Sequence, residues 1–274
     1  MIALKIESMR SSLILITLVM CLLNCRTDEN LGYGLSGSTE NADSKILFVV
    51  SNAHYYGDSD IEATNHFPEI IYAYEEFAKA GYEIDFVSPE GGSIAIGYIS
   101  SSDSIMKKYL YDAAFMDKLE HTLSPSQVDA DNYMATYFTG GGSAMFTVPD
   151  SDEIHAIAAK IYERNGGIVS AICHGTAGIA DLKLSSGDYL VDGKNITGFP
   201  DLFENKKRSY YAQFPFSIEE QVRKNGGLFD YSREGWDGHQ VTDGRVITGQ
   251  DPTSAHLVAR EVIRSLESIK RKIT

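Results

Sequence analysis

The chain has 274 residues, 43% hydrophobic and 23% charged, with 24 Gly and 7 Pro, the balance of a packed globular protein and not of a disordered or collagen-like one. Lys and Arg number 24 against 38 Asp and Glu, a formal charge of −14, so the surface repels phosphate backbones and anionic headgroups and argues against nucleic acid as a partner. Three cysteines, Cys21, Cys25 and Cys173, cannot make a disulfide framework.

Lys5 and Arg10 precede an apolar run from Leu13 to Leu23, 11 residues long and short of the ~20 that span a bilayer. That is the shape of a secretory signal over 1–24, starting at Met1 or Met9. The run closes on Leu22-Leu23-Asn24-Cys25, which resembles a bacterial lipobox with Asn24 where a small residue is usual; Leu18-Val19-Met20-Cys21 is a poorer match. The expectation is export to the bacterial cell envelope and a membrane anchor through lipid on Cys25. Residues 25–44 are polar and rich in Gly and Ser, a flexible tether to one folded domain over 45–274. Within the tether, Gly32, Gly34 and Gly37 have the spacing of a dinucleotide fingerprint. No strand precedes them and no helix follows, so they carry no pyrophosphate site.

Lys45 to Ser51 and Tyr82 to Ser88 are short apolar runs that predict strands. Between them Phe67, Ile70, Ile71, Tyr74, Phe77 and Ala78 fall at helical spacing. The unit recurs with a strand over Met134 to Thr139, a helix over Asp152 to Arg164 and a strand from Gly167 into Cys173. A short strand at Asn195 to Gly198, a hairpin turning at Asp243-Gly244 and a helix from Pro252 to Ile269 complete the chain. This alternation predicts an α/β three-layer sandwich of flavodoxin type, a mostly parallel sheet with helices on both faces and its site at the carboxyl ends of the strands. Ser93 to Asp131 breaks the alternation and reads as a small inserted helical segment near the site.

Ala171-Ile172-Cys173-His174-Gly175 sets a Cys between a buried strand and a helix, with small residues two before and two after it. This is the pattern of a nucleophile elbow, whose sharp turn brings strand and helix nearly into collision. A thiol at a helix N-terminus feels the dipole, which favours thiolate. A lone Cys is also a common inert packing residue. Thr139-Gly140-Gly141-Gly142-Ser143 closes another strand, where side-chain-free backbone can approach a substrate oxygen. By itself it reads more simply as a flexible turn.

The segments ILFVVS, FPEIIYAYEEFAKAGYEIDFVSPEGG, YFTGGGSAMFTVPDS, GGIVSAICHG, GKNITGFPD and DGRVITGQDPTSA, in that order, resemble the ThiJ/PfpI superfamily, with its class I glutamine-amidotransferase-like fold, and specifically its glyoxalase III and heat-shock chaperone branch. The resemblance covers Lys45 to Ile269. It implies that Cys173 is the nucleophile, His174 its neighbour and Glu69 the carboxylate on the thiol, with Glu62 or Glu75 as one-slip alternatives. It places the acid that orients the histidine at Asp201, with Glu204 as the alternative. Gly141, Gly142 and the His174 backbone would form the oxyanion hole. The usual Gly-Gly-His turn of the family reads Gly141-Gly142-Ser143 here and an expected acid is Thr147, departures that bear on substrate preference.

The resemblance implies a cofactor-independent glyoxalase III-type enzyme that converts methylglyoxal or a related 2-oxoaldehyde to lactate or its analogue, and a homodimer. The expected chemistry is thiolate addition to the aldehyde, with neutral Glu69 beside the thiolate because like charges repel. No metal, nicotinamide or glutathione is implied. A Cys-dependent amidase or peptidase, a holdase chaperone and a redox sensor through Cys173 sulfinate are the alternatives on this fold. Glutaminase is disfavoured, because no histidine is followed two positions later by Glu. Ser104-Ile105-Met106-Lys107 has β-lactamase spacing without the accompanying motifs and reads as a helix start.

Overall fold

A computed structural model describes residues 45–273. The signal segment, the tether, Cys25 and the Gly32 to Gly37 spacing lie outside the described residues. The first half runs β1 (Lys45–Val49), β2 (Asn65–His66), α1 (Phe67–Lys79), β3 (Glu83–Val87), β4 (Ile96–Gly97), α2 (Ser104–Leu110), α3 (Ala113–Glu120) and β5 (Tyr133–Phe138). The second half runs α4 (Asp152–Glu163), β6 (Ile168–Ile172), α5 (Ala177–Ala180), β7 (Asn195–Ile196), α6 (Ile218–Lys224), β8 (Leu228–Phe229), β9 (Gln240–Asp243), β10 (Val246–Gly249) and α7 (Ala255–Ile273).

Six strands form the central sheet in the order β3-β1-β5-β6-β10-β9. The first five are parallel to their neighbours, and β9 pairs antiparallel with β10 as the expected hairpin. Side chains alternate across the strands, so Ile46 and Phe48 join Phe86, Tyr137 and Ile172 beneath α1 and α7. Leu47 and Val49 join Phe138, Val169 and Ala171 beneath α4. Both faces are therefore covered, which is why these strands read as unbroken apolar runs.

The inserted segment contains two short helices, capped by Asp103 and Asp112 through their side chains. Ser104 accordingly begins α2. Tyr109 and Phe115 pack against Tyr74 of α1 with ring centroids 5.4 and 4.8 Å apart, so these helices buttress α1. The segment reaches the site through Tyr98, which precedes them. The last helix begins at Ala255, after a 3-10 turn over Pro252–Ser254 that the Asp251 side chain caps. Among the described residues no helix is long and apolar enough to cross a membrane.

Phe48 is fully buried and its ring meets those of Phe77, Phe86 and Tyr137 at 5.8, 5.3 and 4.7 Å. Phe48→Ala leaves a cavity at this junction and should cost about 3–5 kcal/mol in denaturant unfolding; a loss under about 1 kcal/mol would show that α1 collapses into the gap.

Candidate active site

β6 delivers the chain to Cys173, which takes φ +55 before a 3-10 turn over Cys173–Thr176 and the short α5. A non-glycine residue in the left-handed region costs about 1–3 kcal/mol, and such strain gathers at functional sites. The flanking glycine is a steric requirement. A Cβ on Gly175 would run into the carbonyl oxygens of Phe138 and Thr139 at the end of β5.

Glu69 lies in the first turn of α1 and is fully buried. Its Oε2 accepts the Gly140 N–H at 2.9 Å, and its carboxyl is electrostatically coupled to the Cys173 thiol. A Cβ on Gly140 would strike that carboxylate and sit 2.9 Å from the Cys173 Cβ, so the glycine marks the point where acid and thiol converge. Glu69 Oε1 is buried without a hydrogen-bond partner, 3.6 Å from His66 Nδ1. Burial pushes the Glu69 carboxyl up to about 8, against the opposing pull of Cys173 and the Gly140 N–H. At neutral pH Glu69 keeps its proton.

The same burial, together with the Glu69 charge, pushes the Cys173 thiol well above its ordinary range, while the His174 N–H draws it down. The resting group is a thiol, not the thiolate expected from a helix dipole. A turn of four residues followed by a four-residue helix cannot offset complete desolvation. The alternatives to Glu69 stand elsewhere. Glu62 is exposed, and Glu75 is held down at about 2 by Lys108, with Tyr109 and Lys79 as further donors.

His174 Nδ1 lies 3.4 Å from Cys173 Sγ, and its Nε2 lies 2.7 Å from Glu204 Oε1. The ring also stacks on Phe199 at 4.7 Å. Asp201, the expected orienting acid, does not face the histidine. The Phe203 N–H closes a turn onto the Pro200 carbonyl, and Asp201 instead accepts from Ser217 Oγ at 2.7 Å and Lys206 Nζ at 2.8 Å. One turn further, Glu204 is the carboxylate brought to the ring.

These groups open into a cavity of about 300 Å³. Of the two glycines expected to hold an oxyanion, Gly141, at φ +103, lines this cavity. Gly142 does not, since the Tyr56 hydroxyl occupies the space beside its Cα. Several lining residues carried no sequence signal: Tyr56, Tyr98 and Trp236, and His66, whose pKa burial lowers to about 3. Fully buried Asp251 lies just past the end of β10 and acts electrostatically on both Glu69 and Cys173. The rule that sites gather at carboxyl ends of strands could have marked it. A larger groove of about 520 Å³, lined by Asp152, His155, Asp181 and Lys183, contains none of these groups. No cluster of three His, Cys, Asp or Glu side chains suited to a metal ion occurs among the described residues.

Because the folded state holds the Glu69 proton more tightly than an unfolded chain, its contribution to stability is complete below pH ~4.5 and is lost as pH rises through about 8. Glu69→Gln removes that dependence. Its melting temperature should gain on the parent between pH 5 and pH 8 in thermal unfolding; parallel pH profiles for the two proteins would contradict a raised carboxyl.

A model of the DJ-1/PfpI family matches residues 64–265. The chain is 32% identical over 242 residues to a glutathione-independent glyoxalase, HSP31, of Saccharomyces cerevisiae, covering 84% of this chain and 99% of that protein. It is 30% identical to glyoxalase 3 of Candida albicans, covering 81% and 98%. The crystal structure of glyoxalase III from Candida albicans superposes with a TM-score of 0.73 at 27% identity, over 81% of this chain and 97% of that one. Rapid Encystment Protein 24 kDa of Francisella tularensis superposes with a TM-score of 0.76 at 28% identity, over 81% and 99%. With the elbow, the parallel sheet and the match across most of its folded part, the chain belongs to the DJ-1/PfpI family.

Proposed function

We propose that this protein is a cofactor-independent glyoxalase of the glyoxalase III type, converting methylglyoxal or a related 2-oxoaldehyde and water to the 2-hydroxy acid through a hemithioacetal on Cys173. The observation that carries the reading is the pair of proton carriers on one thiol: Glu69 on one side and the His174–Glu204 pair on the other. The similarity to glutathione-independent glyoxalases over most of the chain supports it.

As Sγ attacks the aldehyde carbon, the thiol proton passes to His174 Nδ1, and Glu204 stabilises the imidazolium through Nε2. The developing oxyanion lies within reach of the cavity backbone at Gly141. Returning the proton to that oxygen gives a neutral hemithioacetal and a neutral imidazole. Neutral His174, or Glu69 once its own proton has passed to the neighbouring carbonyl oxygen, then moves the proton of the former aldehyde carbon to the neighbouring carbonyl carbon through an enediolate. A carboxyl that titrates at about 8 is matched to taking and returning a proton near neutrality. Water cleaves the resulting thioester to lactate and restores the thiol.

The homodimer and the lipid anchor on Cys25 belong to the same reading. The first is supported by the family resemblance and the second by the apolar leader alone. Intact-mass analysis of detergent-extracted protein should show acyl mass at Cys25 and its absence in Cys25→Ser; an unmodified N-terminus retaining residues 1–24 would remove the anchor.

Lactate production from methylglyoxal, without glutathione, tests the reaction. Cys173→Ala and Glu69→Gln should each lose about 10²-fold or more, and Glu204→Gln about tenfold or more, while Asp201→Asn stays near the parent. A folded but inert parent would refute the proposal.

A further inference from the structure

The cavity is larger than methylglyoxal requires. Five heavy atoms displace about as much as four waters at ~30 Å³ each, which leaves more than half of the roughly 300 Å³ beyond Cys173 unfilled. What lines the remainder is aromatic. Phe199 stacks on His174 at 4.7 Å and meets Trp236 edge-on at 6.2 Å; Phe203 meets Trp236 at 5.3 Å. The rings thus form a continuous series from the histidine beside the thiol to an indole that is 55% exposed at the rim.

That indole is held there deliberately by the backbone. Trp236 takes φ +50, and its backbone N–H donates to Oδ2 of fully buried Asp251 at 2.8 Å. The preceding Gly235, at φ +64, lies so close to the Phe203 ring that a Cβ would approach it to 2.7 Å. Tyr98, 57% exposed at φ +62, stacks on His66 at 4.3 Å and lines the same cavity. Each of these two rings packs on one side and leaves more than half of its residue's surface in water, on left-handed backbone, so both are preorganised surface at the cavity. No Lys or Arg lines the cavity, and its one carboxylate, Glu204, is engaged by His174, so neither a phosphate nor a carboxylate on the substrate is provided for.

We propose that Phe199, Phe203 and Trp236 form an aryl subsite, and that the preferred substrates are neutral 2-oxoaldehydes bearing an aromatic group, of which phenylglyoxal is the simplest. The substrate claim rests on the glyoxalase reading above; the subsite itself does not. An aryl ring there gains offset or edge contacts with the three side chains while its aldehyde reaches Cys173.

Trp236 is the only tryptophan in the chain, so its fluorescence reports the subsite directly. In Cys173→Ala, the non-aldehyde analogue 2-hydroxyacetophenone should quench it saturably, at concentrations at least tenfold below those needed for hydroxyacetone. In the parent, kcat/KM for phenylglyoxal should exceed that for methylglyoxal by tenfold or more, chiefly through KM. Phe203→Ala and Trp236→Ala should each reduce that ratio several-fold. Methylglyoxal turnover with a ratio below one and no preferential quenching overturns the subsite and leaves the glyoxalase reading intact. Saturable quenching with no turnover of either aldehyde overturns the glyoxalase reading and leaves the subsite standing.

Discussion

Everything at this site follows from placing a carboxyl and a thiol side by side without water. Glu69 and Cys173 belong to distant parts of the sequence, and they meet because α1 begins beside the end of β5 and β6 ends next to it. At the meeting point the chain has Gly140, where any side chain would collide with both. Desolvation penalises either negative charge, and a charge on one group penalises the other, so the pair holds its protons at neutral pH. In the proposed reaction the thiol is therefore protected at rest, and His174 takes its proton during attack.

The sheet fixes the separations on which this depends. Tyr137 of β5 donates its hydroxyl to the Glu69 carbonyl at 3.2 Å, tying the first turn of α1 to the strand that carries the glycine turn. The His66 N–H donates to the Gly140 carbonyl at 2.9 Å, so helix start and turn are joined twice. On the other side the Phe199 N–H donates to the Cys173 carbonyl at 3.2 Å, anchoring the loop that brings Glu204 to His174. A rigid, doubly covered sheet thus brings Glu69 of α1, the neighbouring Cys173 and His174 of the turn after β6, and Glu204 of a loop together with little freedom left to lose on binding.

The sequence made the scaffold legible because its strands are buried on both faces and its helices on one. ILFVV and GIVSAI cannot be anything but interior strands once helical periods separate them, and the Asp243-Gly244 hairpin announces itself by its turn residues. The elbow was legible for the same local reason, small residues around a Cys at a strand end. The orienting acid was not. Asp201 and Glu204 sit three apart in a loop without periodicity, and only the turn closed at Pro200 decides which faces inward. The charge state of Cys173 was hidden too, since a helix N-terminus is visible in sequence whereas the depth of burial that outweighs it is not. The cavity wall comes from widely separated segments, so Tyr56, Tyr98 and Trp236 carried no common signal.

Strain is distributed in a way that packing alone does not explain. Among the described residues four non-glycine residues have left-handed backbone, Tyr98, Thr147, Cys173 and Trp236, and three of the four line one cavity. At about 1–3 kcal/mol each, these conformations are a considerable fraction of the 5–15 kcal/mol by which domains are usually stable. Cys173 is compelled by the elbow. Tyr98 and Trp236 stand beside the thiol, the ring of the first stacked on His66 and the backbone N–H of the second on the Asp251 carboxylate, so the strained backbone gathers on the wall of the cavity that holds Cys173.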